Sequence, residues 1–225
     1  MDLFNERRVT WLDRYYFRGL AFICAILTLN IFFNSLLLIY LVVLSVLAFL
    51  IYASGRQGAP PLLRGVWFMG LLSLLPYPFV DYLFEARLKL VTYLTDDPKV
   101  LATPAYIFLY WLLGVSLFGY CYYRVLGVTG RRWVAGLMTG LFAAGSTTVV
   151  ENLFNFMGFY HNTGSHLLIG YIPLFVPLGY LVTFSLMPLY LRYRYLAGRL
   201  LYAFMGASWW IFYHLISWVA STGGE

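Results

Sequence analysis

Four residues that could do acid–base chemistry lie within segments that are otherwise apolar: Asp81, Glu85, Glu151 and His214. An ionisable side chain at membrane depth is costly unless it is paired, hydrated or used. Desolvation favours the protonated form of a carboxyl group, which is the form that a general acid needs at neutral pH. We therefore predict Glu151, Asp81 and His214 as catalytic residues, with Glu151 as the proton donor. Glu85, beside two basic residues, fits an ordinary charge at the membrane interface.

The densest polar sequence is TTVVENLFNFMGFYHN, residues 147–162. Glu151 and Asn155 lie three and seven positions after Thr148, so the three residues share one helical face. The neighbouring amides, hydroxyls and imidazoles are the groups that would hold a substrate or a water molecule. We predict six substrate-binding residues: Asn152, Asn155, Tyr160, His161, His166 and Trp210.

The same segment raises the question of a metal ion. Glu151, His161 and His166 are residue types that bind zinc, iron or copper. However, no HxxxH, HxxH or ExxH spacing occurs on any predicted helix. Two histidines in an aqueous loop are the simpler interpretation, so we predict neither a metal site nor a cofactor. Cys24 and Cys121 lie in apolar runs and fit small buried hydrophobic residues better than a disulfide.

The composition is that of a membrane protein. Hydrophobic residues make up 62% of the 225 residues, and charged residues only 11%. A soluble domain carries roughly 25% charged residues. The net charge of +6 would suit a nucleic-acid-binding protein. Its basic residues, however, fall in small groups between apolar runs, which is typical of topology signals. We expect membrane lipids and a lipid-soluble small molecule as partners, and no nucleic acid.

A helix needs about 20 apolar residues to cross about 30 Å of hydrocarbon. Seven stretches meet this requirement, which predicts an all-α polytopic membrane protein with a single seven-helix transmembrane domain spanning residues 1–225. The spans lie near 16–33, 35–54, 64–85, 104–126, 132–158, 166–190 and 197–219.

Several features within these spans predict local structure. The first two spans are separated only at Asn34–Ser35, which predicts a tight helical hairpin. Pro76 and Pro78 predict a kink in the third helix just before Asp81. The sixth span is interrupted by three prolines, at positions 173, 177 and 188. Residues 87–94 (RLKLVTYL) predict an amphipathic turn on the membrane interface.

The arginines and lysines divide very unequally between the two ends of the predicted spans. Twelve lie on one side: Arg7, Arg8, Arg14, Arg18, Arg56, Arg64, Arg124, Arg131, Arg132, Arg192, Arg194 and Arg199. Only Arg87, Lys89 and Lys99 lie on the other. Because basic loops stay in the cytoplasm, this predicts a cytoplasmic N-terminus and an external C-terminus, in a bacterial inner membrane.

The predicted orientation brings the unusual polar residues to a common depth. Asn30, Asp81, Glu151 and His214 lie 12 to 19 residues beyond the last basic residue on the cytoplasmic side. This corresponds to roughly 18 to 28 Å of helical rise. We therefore predict that carboxyl groups of the third and fifth helices and the imidazole of the seventh share one pocket in the outer half of the bilayer.

The stretch from Glu151 to Tyr180 resembles the membrane-integral carotenoid-synthesis proteins that hydrate carotenoid ends. In that family a membrane glutamate is followed by a tyrosine-containing exit rich in glycine and phenylalanine, and then by a G-x-P-L-x-x-P-L type of helix. The residues that carry the resemblance here are Glu151, Gly158, Tyr160, Gly170, Pro173 and Pro177. The resemblance covers residues 151–180 and implies an isoprenoid or carotenoid-like substrate.

These observations predict an integral membrane enzyme that acts by acid–base chemistry on a lipid-soluble substrate. A hydratase, a cyclase and an isomerase all fit, because aromatic rings around a pocket stabilise developing carbocations. The alternative is a non-enzymatic protein: an accessory subunit of a larger membrane complex, or a membrane protein that binds a pigment, a quinone or a metal. A transporter fits less well, because no inverted repeat is detectable.

Overall fold

A computed structural model describes residues 11–55, 61–87, 89–162 and 168–191, and the chain is mostly helical. The helices are α1 (Trp11–Phe33), α2 (Leu36–Gly55), α3 (Pro61–Ser73), α4 (Tyr77–Tyr82), α5 (Ala105–Thr129), α6 (Arg132–Phe156), α7 (Phe175–Ser185) and α8 (Met187–Tyr190). A π-helical turn, Leu83–Arg87, follows α4. The strands are β1 (Val91–Tyr93), β2 (Lys99–Val100), β3 (Thr103–Pro104), β4 (Tyr160–Asn162), β5 (Leu168–Ile169) and β6 (Ile172–Pro173).

Within the described ranges, four helical stretches are long and apolar enough to cross a membrane: Asp13–Phe33, Gly65–Arg87, Ala105–Thr129 and Arg132–Phe156. They correspond to the first, third, fourth and fifth predicted spans, and they indicate a membrane protein. The stretches Leu36–Tyr52 and Phe175–Tyr190 are apolar but shorter. The predicted span at 197–219 lies outside the described residues.

The first two helices form the predicted hairpin. Helix α1 ends at Phe33, and Asn34 adopts the left-handed conformation with φ of 45°. The backbone N–H of Ser35 donates to Asn30 Oδ1 at 2.8 Å. Asn30 is fully buried, and its amide nitrogen lies 3.8 Å from Met157 Sδ near the end of α6. Asn30 therefore fastens the hairpin turn to the core.

The third predicted span is interrupted where its prolines predict a kink. Helix α3 ends at Ser73, a turn follows, and α4 begins at Tyr77. Pro76 and Pro78 have no backbone N–H, so they interrupt the hydrogen-bond ladder of a continuous helix. The helix is interrupted where the kink is predicted, so Asp81 lies on a separate short helix.

The polar connection after this helix is a strand, in place of the predicted amphipathic turn. Strand β1 pairs antiparallel with β4, so that Thr92 lies opposite His161 and Tyr93 opposite Tyr160. The other two sheets, β2–β3 and β5–β6, are also two-stranded and antiparallel. All three small sheets lie in connections at the same end of the helices as the α1–α2 turn. The Tyr40 hydroxyl, near the start of α2, donates a hydrogen bond to Asp97 in one of these connections.

Among the described helices, α6 and α7 pack together most extensively. Gly136 and Gly140 of α6 face the backbone of α7, and a Cβ atom at Gly140 would overlap the Leu181 carbonyl oxygen and Ser185 Oγ. Small residues allow helix backbones to approach closely in membranes. This contact positions α7 against the part of α6 that precedes Glu151.

A buried ionic cluster ties α1 to α5 at the opposite end of the helices. Asp13 is 2% exposed, and Arg124 Nε lies 2.8 Å from its carboxyl oxygen. The Tyr120 hydroxyl donates to the same oxygen, and the Tyr16 ring stacks on Tyr120 with centroids 3.5 Å apart. The cluster therefore joins the first turn of α1 to the C-terminal half of α5.

Candidate functional site

The carboxyl group of Asp81 is buried beneath the small sheet. Asp81 is 5% exposed, and the Tyr93 hydroxyl from β1 lies 2.8 and 2.9 Å from its two oxygens. The buried Thr103 hydroxyl lies beside the same carboxyl. Burial, together with the nearby Asp81 carboxyl, raises the pKa of the Tyr93 hydroxyl well above its usual range. Tyr93 therefore remains a hydrogen-bond donor to Asp81 at any physiological pH.

Glu151 belongs to α6 and is only half-buried. The Tyr180 hydroxyl from α7 lies within hydrogen-bonding reach of its carboxyl group. Tyr180 is itself buried, at 8% exposed. Each of the two carboxyl groups thus has a tyrosine hydroxyl from a different element beside it: Tyr93 of β1 for Asp81, and Tyr180 of α7 for Glu151.

Asp81 and Glu151 line the same cavity, which has a volume of about 90 Å³. We call it the two-carboxyl cavity. A water molecule needs roughly 10–15 Å³ of such volume, so the cavity has room for several. Six aromatic rings form much of its wall: Tyr77, Phe84, Tyr93, Tyr160, Phe175 and Tyr180. Asn162 and five aliphatic residues complete it.

Tyr160, which lines this cavity, has a polar atom that nothing in the described protein satisfies. The residue is 3% exposed, and its hydroxyl is buried without a hydrogen-bond partner among the described residues. Its ring packs edge-on against Tyr93, with centroids 5.9 Å apart. Buried polar groups are normally hydrogen-bonded, so the Tyr160 hydroxyl is an exception among the described residues of the cavity wall.

The two predicted asparagines bond to neighbouring backbone. Asn155 Nδ2 donates to the Glu151 carbonyl at 2.9 Å, and Asn155 Oδ1 accepts from the Asn162 N–H at 3.2 Å. Asn152 Oδ1 accepts from the Tyr171 N–H at 2.6 Å, and its Nδ2 donates to the Thr148 and Ile169 carbonyls. Asn155 thereby fixes β4, and Asn152 fixes the β5–β6 turn. Both hold the connections around the cavity, and neither lines it.

The remaining predicted site residues lie away from the cavity or outside the described ranges. His161 is exposed on the β1–β4 sheet, opposite Thr92. His166, Trp210 and His214 are among the residues that are not described. Glu85 lies 3.6 Å from Lys99 Nζ and does not line the cavity, which fits the interfacial charge predicted for it.

The described residues hold no group of three or more histidine, cysteine, aspartate or glutamate side chains that could bind a metal ion. Of the three residues considered as metal ligands, Glu151 lines the cavity and His161 lies exposed on the sheet. His166 lies outside the described ranges. Asp81 and Glu151 are thus the carboxyl groups that the structure brings together, with aromatic rings and no third metal-ligating side chain.

Three residues that lie beside the two carboxyl groups were not predicted from the sequence. Tyr93 and Thr103 beside Asp81 come from strands, and Tyr180 beside Glu151 comes from the proline-interrupted sixth span. Tyrosines are frequent throughout this chain, with 20 in all, so their presence alone carries no signal. The prolines before Asp81 and Pro177 itself are the one local sign that these segments border a cavity.

We expect Tyr93→Phe to lower the stability of the protein by about 1–3 kcal/mol, the usual cost of removing one partner of a buried polar group. The Phe ring would keep the contact with Tyr160, so the change isolates the hydroxyl that reaches both Asp81 oxygens. Denaturant-induced unfolding in detergent micelles measures the loss. Tyr171→Phe is the matched control, because the Tyr171 side chain is 58% exposed. Equal stability of the two variants would contradict the role assigned to Tyr93.

The chemistry of this cavity has to be understood from its own geometry. Comparison with family models, with curated proteins and with solved structures finds no match to the chain.

Proposed function

We propose that the protein is an integral membrane enzyme that acts by acid–base chemistry on a lipid-soluble, isoprenoid or carotenoid-like substrate in the two-carboxyl cavity. The observation that carries the proposal is that Asp81 and Glu151, 70 positions apart in the chain, line one cavity with six aromatic rings. A proton donor, a proton acceptor and an aromatic wall are the groups that addition of a proton to a carbon–carbon double bond requires.

In this proposal Glu151 is the acid. It donates a proton to one carbon of the double bond, and the neighbouring carbon becomes a carbocation. The rings of the wall stabilise that positive charge through their π faces. Glu151 suits this role because it is half-buried at the cavity, with the Tyr180 hydroxyl beside it to stabilise the carboxylate that remains.

Asp81 is the base in the same proposal, held in place by Tyr93. In a hydration, the oxygen of a cavity water bonds to the carbocation and Asp81 takes the proton that this water loses. In an isomerisation or a cyclisation, Asp81 takes a proton from a neighbouring carbon instead. The Tyr160 hydroxyl, which has no partner among the described residues, orients the water or the substrate. Transfer of the proton from Asp81 back to Glu151 through cavity water restores the starting state.

The placement in the membrane is part of the proposal. Seven spans with a cytoplasmic N-terminus and an external C-terminus, in a bacterial inner membrane, follow from the twelve-to-three division of basic residues. The two-carboxyl cavity then opens in the outer half of the bilayer, where a lipid-soluble substrate is concentrated. His214 and Trp210 of the seventh span would complete the site, with His214 as an orienting partner of a carboxyl group.

Expression of the full chain in a bacterial host that makes linear isoprenoids tests the function. We expect lipid extracts to contain a new product that is heavier by one water molecule for a hydratase, or of unchanged mass and altered structure for an isomerase or a cyclase. Mass spectrometry and chromatography against a host without the chain detect either product. Identical extracts across a panel of linear and cyclic isoprenoids would contradict an enzyme of this class.

A binding protein is the second candidate, and the arrangement of the two carboxyl groups is compatible with it. Both carboxyl groups already have a tyrosine hydroxyl beside them, an arrangement that suits a fixed binding site as well as a catalytic one. Purification in mild detergent, followed by measurement of the absorption spectrum, the metal content and the co-purifying chains, distinguishes the two. A bound pigment, quinone or metal would favour the binding protein, and stoichiometric partner subunits an accessory role in a larger complex.

A further inference from the structure

The wall of the two-carboxyl cavity is acidic on balance. Asp81 and Glu151 line it, and none of the described lining residues carries a basic side chain. Lys99, whose Nζ lies 5.9 Å from the Tyr93 ring centroid, forms an ion pair with Glu85 at 3.6 Å and does not line the cavity. Two carboxyl groups in one low-dielectric site do not both ionise without a counter-charge. A proton or a bound cation has to supply it.

The proposed function places that proton on Glu151, and the aromatic wall allows a bound cation to take its place. Tyrosine and phenylalanine faces attract ammonium groups within about 6 Å of the ring centroid, and several rings around one site form the usual cage for an alkylammonium ion. Six rings line this cavity beside the two carboxyl groups. A neutral apolar ligand would contact the rings but would leave both carboxyl groups desolvated. A positively charged ligand interacts with the rings and also with the carboxyl groups.

Tyr160, a residue of the cavity wall, has a buried hydroxyl with no hydrogen-bond partner in the described part of the chain. The hydroxyls of Tyr93 and Tyr180, by contrast, lie beside Asp81 and Glu151. A phenolic oxygen without a partner can accept a hydrogen bond from an N–H or O–H of a ligand.

We propose that the two-carboxyl cavity binds organic ammonium cations: an alkylammonium head group lies among the aromatic rings, with its charge between Asp81 and Glu151. The inference rests on the proposed function and deepens it. An ammonium group has a permanent positive charge centred on nitrogen. A protonated double bond has a positive charge on carbon, but only transiently. Such cations are therefore expected to bind better than neutral molecules of the same shape, and to compete with the substrate.

Choline and its uncharged carbon analogue, 3,3-dimethylbutan-1-ol, are matched probes, because they differ in charge and hardly in shape. We expect calorimetric titration of the full chain in nonionic detergent to show choline binding at least about tenfold more tightly, the factor expected for a desolvated cation–π site. Equal affinities, or no binding of choline, would overturn the proposal. This comparison uses the unaltered protein, so it does not depend on any variant being folded.

Variants locate the bound cation. We expect Glu151→Gln and Asp81→Asn each to weaken choline binding about tenfold, and Glu85→Gln, which alters a carboxyl group outside the cavity, to leave it unchanged. Unchanged choline binding in both cavity variants would overturn the assignment to this cavity. If the protein binds choline but converts no isoprenoid, the cation site is supported and the proposed function is overturned. If the protein converts an isoprenoid but shows no preference for choline, the proposed function is supported and the cation site is overturned.

Discussion

Replacement of Glu151 by glutamine should reduce product formation by about 10²- to 10⁴-fold, the usual contribution of a positioned general acid. The glutamine amide keeps the size of the side chain and can still bond to the Tyr180 hydroxyl, but it has no proton to donate to a double bond. Product formed per cell, measured by mass spectrometry and normalised to the amount of purified protein, gives the factor. Size-exclusion chromatography and circular dichroism establish that the variant is folded.

Glu85→Gln is the matched control for this experiment. The two substitutions are chemically identical, and Glu85 pairs with Lys99 outside the cavity. We expect the control to form product at a rate close to that of the unaltered protein. Undiminished product formation by Glu151→Gln would show that Glu151 is not the acid. A similar loss in both variants would point to a general loss of acidic charge at this end of the protein.

Gly140→Ala is expected to have the largest effect on stability, a loss of about 1–3 kcal/mol or more. The added Cβ atom would overlap the Leu181 carbonyl oxygen and Ser185 Oγ, so α7 would have to move away from α6. The Leu181 oxygen is a backbone atom of a helix and cannot rotate aside. Since Tyr180 precedes Leu181, displacement of α7 would also move the hydroxyl that lies beside Glu151. Unfolding in mixed micelles of a mild and a denaturing detergent measures the change.

Gly145→Ala on the same helix provides the comparison. A Cβ atom at Gly145 would meet nothing within 4 Å. Alanine has a higher helix propensity than glycine, by about 1 kcal/mol in water, so we expect this variant to be as stable as the unaltered protein or slightly more so. Equal destabilisation by the two substitutions would contradict the close α6–α7 contact. A stable Gly140→Ala protein would contradict it as well.

Local sequence patterns predicted much of the helical framework. The break at Asn34–Ser35 and the break in the helix before Asp81 depend on residues adjacent in sequence, and the structure has both. Helices α5 and α6 begin and end within three residues of their predicted spans. These features follow from the length of apolar segments and from the missing N–H of proline, which act wherever the segment lies in the fold.

The strand β1 shows where this reasoning stops. The sequence RLKLVTYL by itself does not distinguish an interfacial turn from a strand, because the strand that pairs with it, β4, lies about 70 residues later in the chain. The same limit applies to Tyr93 and Tyr180. Each was one tyrosine among 20 in the sequence, and only the tertiary structure places it beside a carboxyl group.

What the sequence determined by itself is that this chain is mostly helical, with helices apolar enough to cross a membrane and with costly carboxyl groups inside them, because hydrophobicity and the desolvation of charge are properties of single segments and single side chains. The tertiary structure decided which of those groups meet. It brought Asp81 and Glu151 to one cavity, assigned Asn152 and Asn155 to the surrounding connections and left Glu85 with Lys99. Such pairings depend on how distant elements pack, through close contacts such as that at Gly140, and no local spacing encodes them.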